Sequence, residues 1–347
     1  MFKYLIIIRP LGFLYGSAGA FLSPENLVGR SGEKFPPSAA TISGLFFNAN
    51  KTRSDISQAE KDEQHRDLKE NLYVAGAFWA QSGYEQNFYV PIPWHYIIDK
   101  DQEKDEWILD EKGEWQRQRQ YKEDKDKLEP AFTWQTINSW GYQKPTCKKS
   151  PWYNIPILHP KMKDEERHTL KENGLFLENA VQMQEDTCLI YLSSHKLADG
   201  WYRFGGEKHL VEIESTDIKN EKLTKLLEEP IQQAFAIITP AVWGSTRFSF
   251  RVPQHPDFPI NKDNPKLLTD KAIPYRYSTA GRLGRGRYAV PPGSVYVLEK
   301  TLDLSWSQFP DDWFPDEGFS LKRIGSGLCL PIHIVGLGLE KVEQGVA

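Results

Sequence analysis

The opening stretch MFKYLIIIRP is apolar for only a few residues before Arg9 and Pro10 interrupt it. That run is too short for a secretion-signal core or a membrane span, and it suits a buried first strand over residues 3–9. No later stretch is long and apolar enough to cross a bilayer. The 347 residues also contain 23 prolines and 25 glycines, so turns are frequent and an α+β or β-rich design is favoured over a helical bundle. This length fits one large domain or two medium ones. The 11 Trp, 15 Tyr and 18 Phe supply large surfaces for a core.

Pro36 and Pro37 precede Ser38, an N-cap candidate, and Ile42, Leu45 and Phe46 follow at helical spacing. Residues 51–71 are polar and predict a solvent-facing helix or loop. Two strands with a loop around Gly83 are expected over residues 71–98. The charged stretch 99–129 reads as an insertion, with a hairpin turning near Gly113 and Trp107 across from Trp115. TCLIYLS (187–193) predicts a strand, and RFGGEKHLVEIES (203–215) a glycine turn feeding another. Leu223, Leu226 and Leu227 share one helical face that Pro230 ends. Further strands are expected in QQAFAIITPAVW, GSVYVLEK and the tail after its glycine turn. Strand, loop, helix, strand, strand is the start of a ferredoxin-like β-α-β-β-α-β sheet. The second half has enough strands for another. The expected division is 1–200 and 201–347.

The formal net charge is −4, so bulk attraction to polyanions is not expected and any nucleic-acid binding must come from local patches. Cys147, Cys188 and Cys329 are far apart with no CxxC, which suits a reducing cytoplasm and argues against a disulfide framework or zinc knuckle.

One patch stands out. YRYSTAGRLGRGRYAVPPGSVYVLEK (275–300) opens with Arg276, Arg282, Arg285 and Arg287 and no acid before the strand. Guanidinium pairs bidentately with phosphate, and Gly281, Gly284 and Gly286 allow close backbone approach. Gly281–Gly284 also matches a bare G-x-x-G, a weak signal taken alone. A solvated loop of turn residues is the competing reading. Arg30 and Lys34 precede the helix start at Ser38, where unpaired amides attract anions and the Ser38 hydroxyl could add an RNA contact; the competing reading is that Ser38 only caps the helix, and capping is expected on either. Arg203, Gly205, Gly206 and Lys208 form a turn that RNA or a neighbouring subunit could approach, with the plain turn favoured. Glu207 reads as a structural partner of a cation. Arg247 and Arg251 alternate with Phe248 and Phe250, which predicts a basic face and a phenylalanine core face. Lys322 and Arg323 flank the last glycine turn and could extend the basic surface.

Five segments then stand in order: FPPSAATISGLF, GAFWAQSGYEQNFYVPIP, GWYRFGGEKHLVEIE, IITPAVWG and YAVPPGSVYVLEK, with GSGLCLP after them. Together they resemble the Cmr subunit three family, the Cas-five-like RAMP proteins of type III-B CRISPR effectors, across nearly the whole chain. The resemblance implies two ferredoxin-like (RRM-like) domains with glycine-rich loops, no catalytic role and no cofactor. It implies binding of the 5′ repeat-derived tag of the CRISPR RNA, and docking between a large polymerase-cyclase subunit and the RAMP backbone, with neither a membrane nor a small-molecule substrate. The chain departs from the family in two places. GRLGRGRYAV stands where the family often has a Gly-Trp-Asp segment, and the 99–129 stretch is enlarged. The aromatic RNP strands of ordinary RRMs are missing, so phosphate and loop contacts are expected to dominate.

Two alternatives stand beside this reading. A metal-independent nuclease needs an acid and a base near one phosphate. The eight histidines (65, 95, 159, 168, 195, 209, 255 and 333) are scattered, and His159 and His168 do not pair by spacing alone. No metal-ligand cluster, Walker loop, G-x-S-x-G or dinucleotide fingerprint is found. A pure scaffold would use the aromatics of 79–96 and 134–153 as an interface, though they suit a core as well.

Overall fold

The computed structural model describes residues 1–15, 35–123, 126–160, 168, 175–205, 208–244, 248–279, 282–284 and 286–337. The LIII run forms strand β1 (Tyr4–Pro10), with Leu5, Ile6, Ile7 and Ile8 all buried, as a continuous apolar run requires of a strand covered on both faces. Helices α1 (Ala39–Thr52) and α2 (Gln58–Asn71) follow, then β2 (Val74–Gln81). α1 buries Ile42, Leu45 and Phe46, whereas α2 buries only Leu68, in keeping with its polar sequence. Strands β3 (Thr187–Ser193), β4 (Gly200–Phe204) and β5 (His209–Asp217) complete the first half's main pairing. Helix α3 (Glu221–Glu228) leads into β6 (Ala234–Ile237), β7 (Leu267–Leu268), β8 (Val295–Val297) and β9 (Cys329–Pro331).

The first sheet runs β4-β5-β1-β3-β2 and continues through Tyr89–Pro91, Trp134–Thr136 and Cys147–Lys148, antiparallel throughout. Within it β5-β1-β3-β2 is a fourth–first–third–second order. The second sheet, β7-β8-β6-β9, has the same order read from its other edge, again antiparallel. Among the described residues the crossovers carry fewer helices than β-α-β-β-α-β implies. α1 and α2 join β1 to β2, but β3 reaches β5 through β4, and β8 reaches β9 through short 3-10 turns. Because β4 and β5 pair onto the first sheet, the change of sheet comes after Asp217 and not at residue 200.

Alternation along β1 splits the core. Leu5 and Ile7 join Phe78, Ile190 and Leu192 against Phe235, Tyr296 and Leu330 of the second half. Ile6 and Ile8 join Leu189 and Tyr191 against Ile42, Leu45 and Phe46 of α1. The first sheet therefore has helices on one face and the second half on the other. At this seam GSGLCLP is a packing device. Gly325 has φ +71°, and a Cβ there would lie 2.6 Å from the Ala75 Cα. Gly327 has φ +62°, and its Cβ would lie 2.8 Å from the Trp243 ring. Between them, buried Ser326 accepts the Val242 N–H at 2.9 Å.

Two expectations change. The hairpin near Gly113 forms from Lys104–Leu109 and Trp115–Arg117, but Trp107 pairs with Arg117 and Leu109 with Trp115. The stretch is also fastened to the body, since buried Leu109 donates its amide to Val335 O at 3.0 Å. Among the aromatics of 79–96 and 134–153, which suit a core as well as an interface, Trp79, Tyr89 and Trp134 are buried together, with Trp79 stacked on Tyr89 at 4.0 Å, while Tyr84, Tyr142 and Tyr153 are exposed. The three cysteines are free and buried, and burial pushes the thiols of Cys147 and Cys188 up to about 12.

Candidate nucleic-acid interface

The arginine-rich segment folds as a two-stranded arm. Ile273–Tyr275 pairs with Arg287–Ala289, and Ser278–Thr279 pairs with Arg282–Leu283. Period-2 alternation sorts its base. Arg287 and Ala289 face inward with Tyr275, while Tyr288 between them faces solvent. Arg287 is only 6% exposed and forms an ion pair with Glu317, to which Tyr277 also donates its hydroxyl. Burial first, then neighbouring Tyr275, pushes the Tyr277 phenol up to about 12. In the middle of the arm Arg276 donates Nε–H to Gly284 O at 2.7 Å, and the Gly284 amide bonds Tyr277 O at 2.8 Å. A Cβ at Gly284 would lie 3.0 Å from Tyr277 O, so glycine permits this closure.

The structure thus divides the arginines that the sequence groups together. Arg287 and Arg276 build the arm, and Arg287 is corrected from a phosphate ligand to a buried structural cation. Arg282 lies in the outer ladder, where its backbone pairs with Thr279. Gly286 is described and half-buried. Gly281 and Arg285 lie outside the described residues, as do Arg30, Lys34, Gly206, Glu207 and Arg247.

The second basic element is the β4–β5 hairpin. Arg203 pairs with Leu210 near its turn, and Arg203 and Lys208 are exposed. Gly205 (φ +75°) and Lys208 (φ 58°) take left-handed backbone, and Lys208 N–H bonds Gly205 O at 3.2 Å, so a plain turn forms. The inward residues Phe204 and Val211 share one apolar cluster with Tyr275 and Ala289, so both hairpins are rooted on the helix-bearing side of the first sheet.

Three other expectations are corrected. Ser38 occupies the N-cap position of α1, but its side chain makes no capping hydrogen bond. Lys322 does not extend a basic surface. It is 4% exposed, and its ammonium donates to Ser307 O at 3.0 Å and Phe309 O at 2.5 Å. Burial lowers its pKa, with Asp311 opposing. Arg323 donates to Lys69 O and lies over the Tyr73 ring. Phe248 and Phe250 are not a core face, since both are exposed on the short strand Ser249–Phe250 paired with Trp243–Gly244.

Sequence reading missed one polar array. Ser194 Oγ lies 2.8 Å from His195 Nδ1, and His195 Nε2 lies 2.9 Å from Asp67 Oδ2. The same hydroxyl donates to Asn71 O and accepts the Tyr73 N–H, both at 2.9 Å. With its proton on Asn71 and its lone pairs facing two nitrogens, Ser194 is fully engaged, and the array clasps the end of α2 to the end of β3. Hydrogen bonds from Asn71, then His195, hold the Asp67 carboxyl below its usual range. Among the described residues no group of three or more His, Cys, Asp or Glu is placed to hold a metal, and no helix is long and apolar enough to cross a membrane.

No family model matches the chain, and no curated protein matches it. Solved structures do. A chain of the Type III-B Cmr-beta complex bound to cognate target RNA and AMPPnP is 14% identical, with 84% of this chain and 86% of that chain covered and a TM-score of 0.48. A chain of the Csm3-Csm4 subcomplex in the type III-A CRISPR-Cas interference complex is 10% identical, with 87% and 94% covered and a TM-score of 0.42. A chain of the Csm1-Csm4 cassette in complex with pppApA is 11% identical, with 86% and 87% covered and a TM-score of 0.38. These chains, from a type III-B Cmr-beta complex and type III-A assemblies, are what this chain is similar to.

Proposed function

We propose that the chain is an RNA-binding subunit of a type III CRISPR ribonucleoprotein effector and makes or breaks no bond itself. In this reading it holds the 5′ repeat-derived tag of the guide RNA and bridges a large polymerase-cyclase subunit to a RAMP backbone, and its two sheets are two ferredoxin-like units. The observation that carries the reading is the fourth–first–third–second strand order found in both sheets, with the five family-like segments falling in sequence order on helix α1 and then on the two sheets and the segments that adjoin them. The covered faces of the first sheet favour binding through loops and arms over an exposed sheet surface. The acid-free, arginine-bearing arm 273–289 supplies the charge that the chain as a whole lacks.

The test is recovery of the tagged chain from its native cells, with sequencing of bound RNA and identification of bound proteins. Repeat-derived 5′ ends together with a polymerase-like large subunit are expected. Recovery of neither would overturn the proposal, and cleavage of repeat RNA by the purified chain alone would replace it with a nuclease.

A further inference from the structure

Phe248, Phe250 and Tyr288 are 65%, 39% and 50% exposed. The two phenylalanine rings lie 6.4 Å apart, centroid to centroid. Tyr288 belongs to the base of the arm, and its amide donates to Ser249 Oγ at 3.0 Å, which ties the arm to the phenylalanine strand. Three large rings thus stand at the junction of two segments. Those segments are WGSTRFSFR (243–251) and IPYRYSTAGRLGRGRYA (273–289), and they contain six arginines and no carboxylate. Arg251, next to Phe250, is exposed and makes no ion pair among the described residues. Glu317 is held on the inward side of the Arg287–Ala289 strand, opposite to the face that Tyr288 presents.

We infer that Phe248, Phe250 and Tyr288 form a base-stacking platform for single-stranded RNA, with the exposed Arg251 beside Phe250 holding a phosphate. The inference rests on the RNA-binding reading above. A protein partner would suit the rings equally well, but two ring-bearing segments that contain arginines and no carboxylate are complementary to a polyanion, and every base offers a π-face to a ring. The platform is sequence-tolerant, since stacking reads no base edge.

The test uses the full chain and a single-stranded oligouridine of about twelve nucleotides, with a twin probe carrying base-free sugars at its central positions. Affinities are measured across a salt series. The double variant Phe248→Leu, Phe250→Leu keeps the apolar area but not the π-faces. It is expected to weaken oligouridine binding about tenfold, as is Tyr288→Ala. Each is expected to leave the salt slope unchanged, and neither should lose further affinity on the base-free probe. Arg251→Ala should lower the salt slope by about one. Leucine variants that bind like the wild type, or a wild type that binds both probes equally, would overturn the platform while leaving RNA binding intact. A wild type that binds neither probe would overturn the RNA reading itself.

Discussion

At the scale of single residues, burial decides what a charge is for. Arg276, Arg287 and Lys322 look alike in the sequence as cations within five residues of a glycine, yet each is held by the protein's own acceptors. Removing one member of a buried ion pair leaves the other uncompensated. Arg287→Ala is therefore expected to cost about 3 kcal/mol, read as a fall in Tm, whereas Arg251→Ala, at an exposed position, should leave Tm unchanged and weaken RNA binding. Asp105 gives a pH-dependent case. Burial pushes its carboxyl up, but hydrogen bonds from Tyr121, the Arg119 amide and Arg117 outweigh this and hold it below its ordinary value. A lowered folded-state pKa stabilises above the unfolded pKa and is lost as pH falls through the folded one. Melting curves of wild type and Asp105→Asn should thus differ by a constant amount above about pH 5 and converge below about pH 4. A gap independent of pH would contradict the assignment. Nothing in the local sequence marks Asp105 among its charged neighbours, because its partners are Arg117, Arg119 and Tyr121, brought together only by the hairpin.

At the scale of elements, local pattern was legible and side-chain partnership was not. The period of Ile42, Leu45 and Phe46 gives α1, the TCLIYLS run gives β3, and Leu223 and Leu226 give α3, because periodic burial is written in neighbouring residues. Ser38 marks the helix start correctly, but its hydroxyl goes unused, while Ser57 forms a capping box with Glu60 at the head of α2. Ser57→Ala is therefore expected to cost about 1 kcal/mol and Ser38→Ala well under about 0.5 kcal/mol, measured by chemical denaturation. The reverse ranking would contradict the geometry. The phenylalanines of 248–250 were misread for a related reason. Alternation says which residues share a face, but only the paired strand Trp243–Gly244 and the neighbouring arm determine which face meets solvent.

At the scale of the whole molecule, two antiparallel sheets meet through a seam that excludes a Cβ at Gly325 and Gly327. Gly325→Ala would demand left-handed backbone and displace Ala75, so it should destabilise the protein by at least about 2 kcal/mol in thermal melts. Among the described residues the arm 273–289, the adjoining segment with Arg251 and the turn of the β4–β5 hairpin are basic elements outside the covered sheet. Ultraviolet crosslinking of the native assembly, with identification of RNA-linked peptides, tests directly whether they meet RNA. RNA-linked peptides from 273–289 and 248–251 are expected. RNA-linked peptides drawn only from elsewhere in the chain, or none at all, would contradict the account.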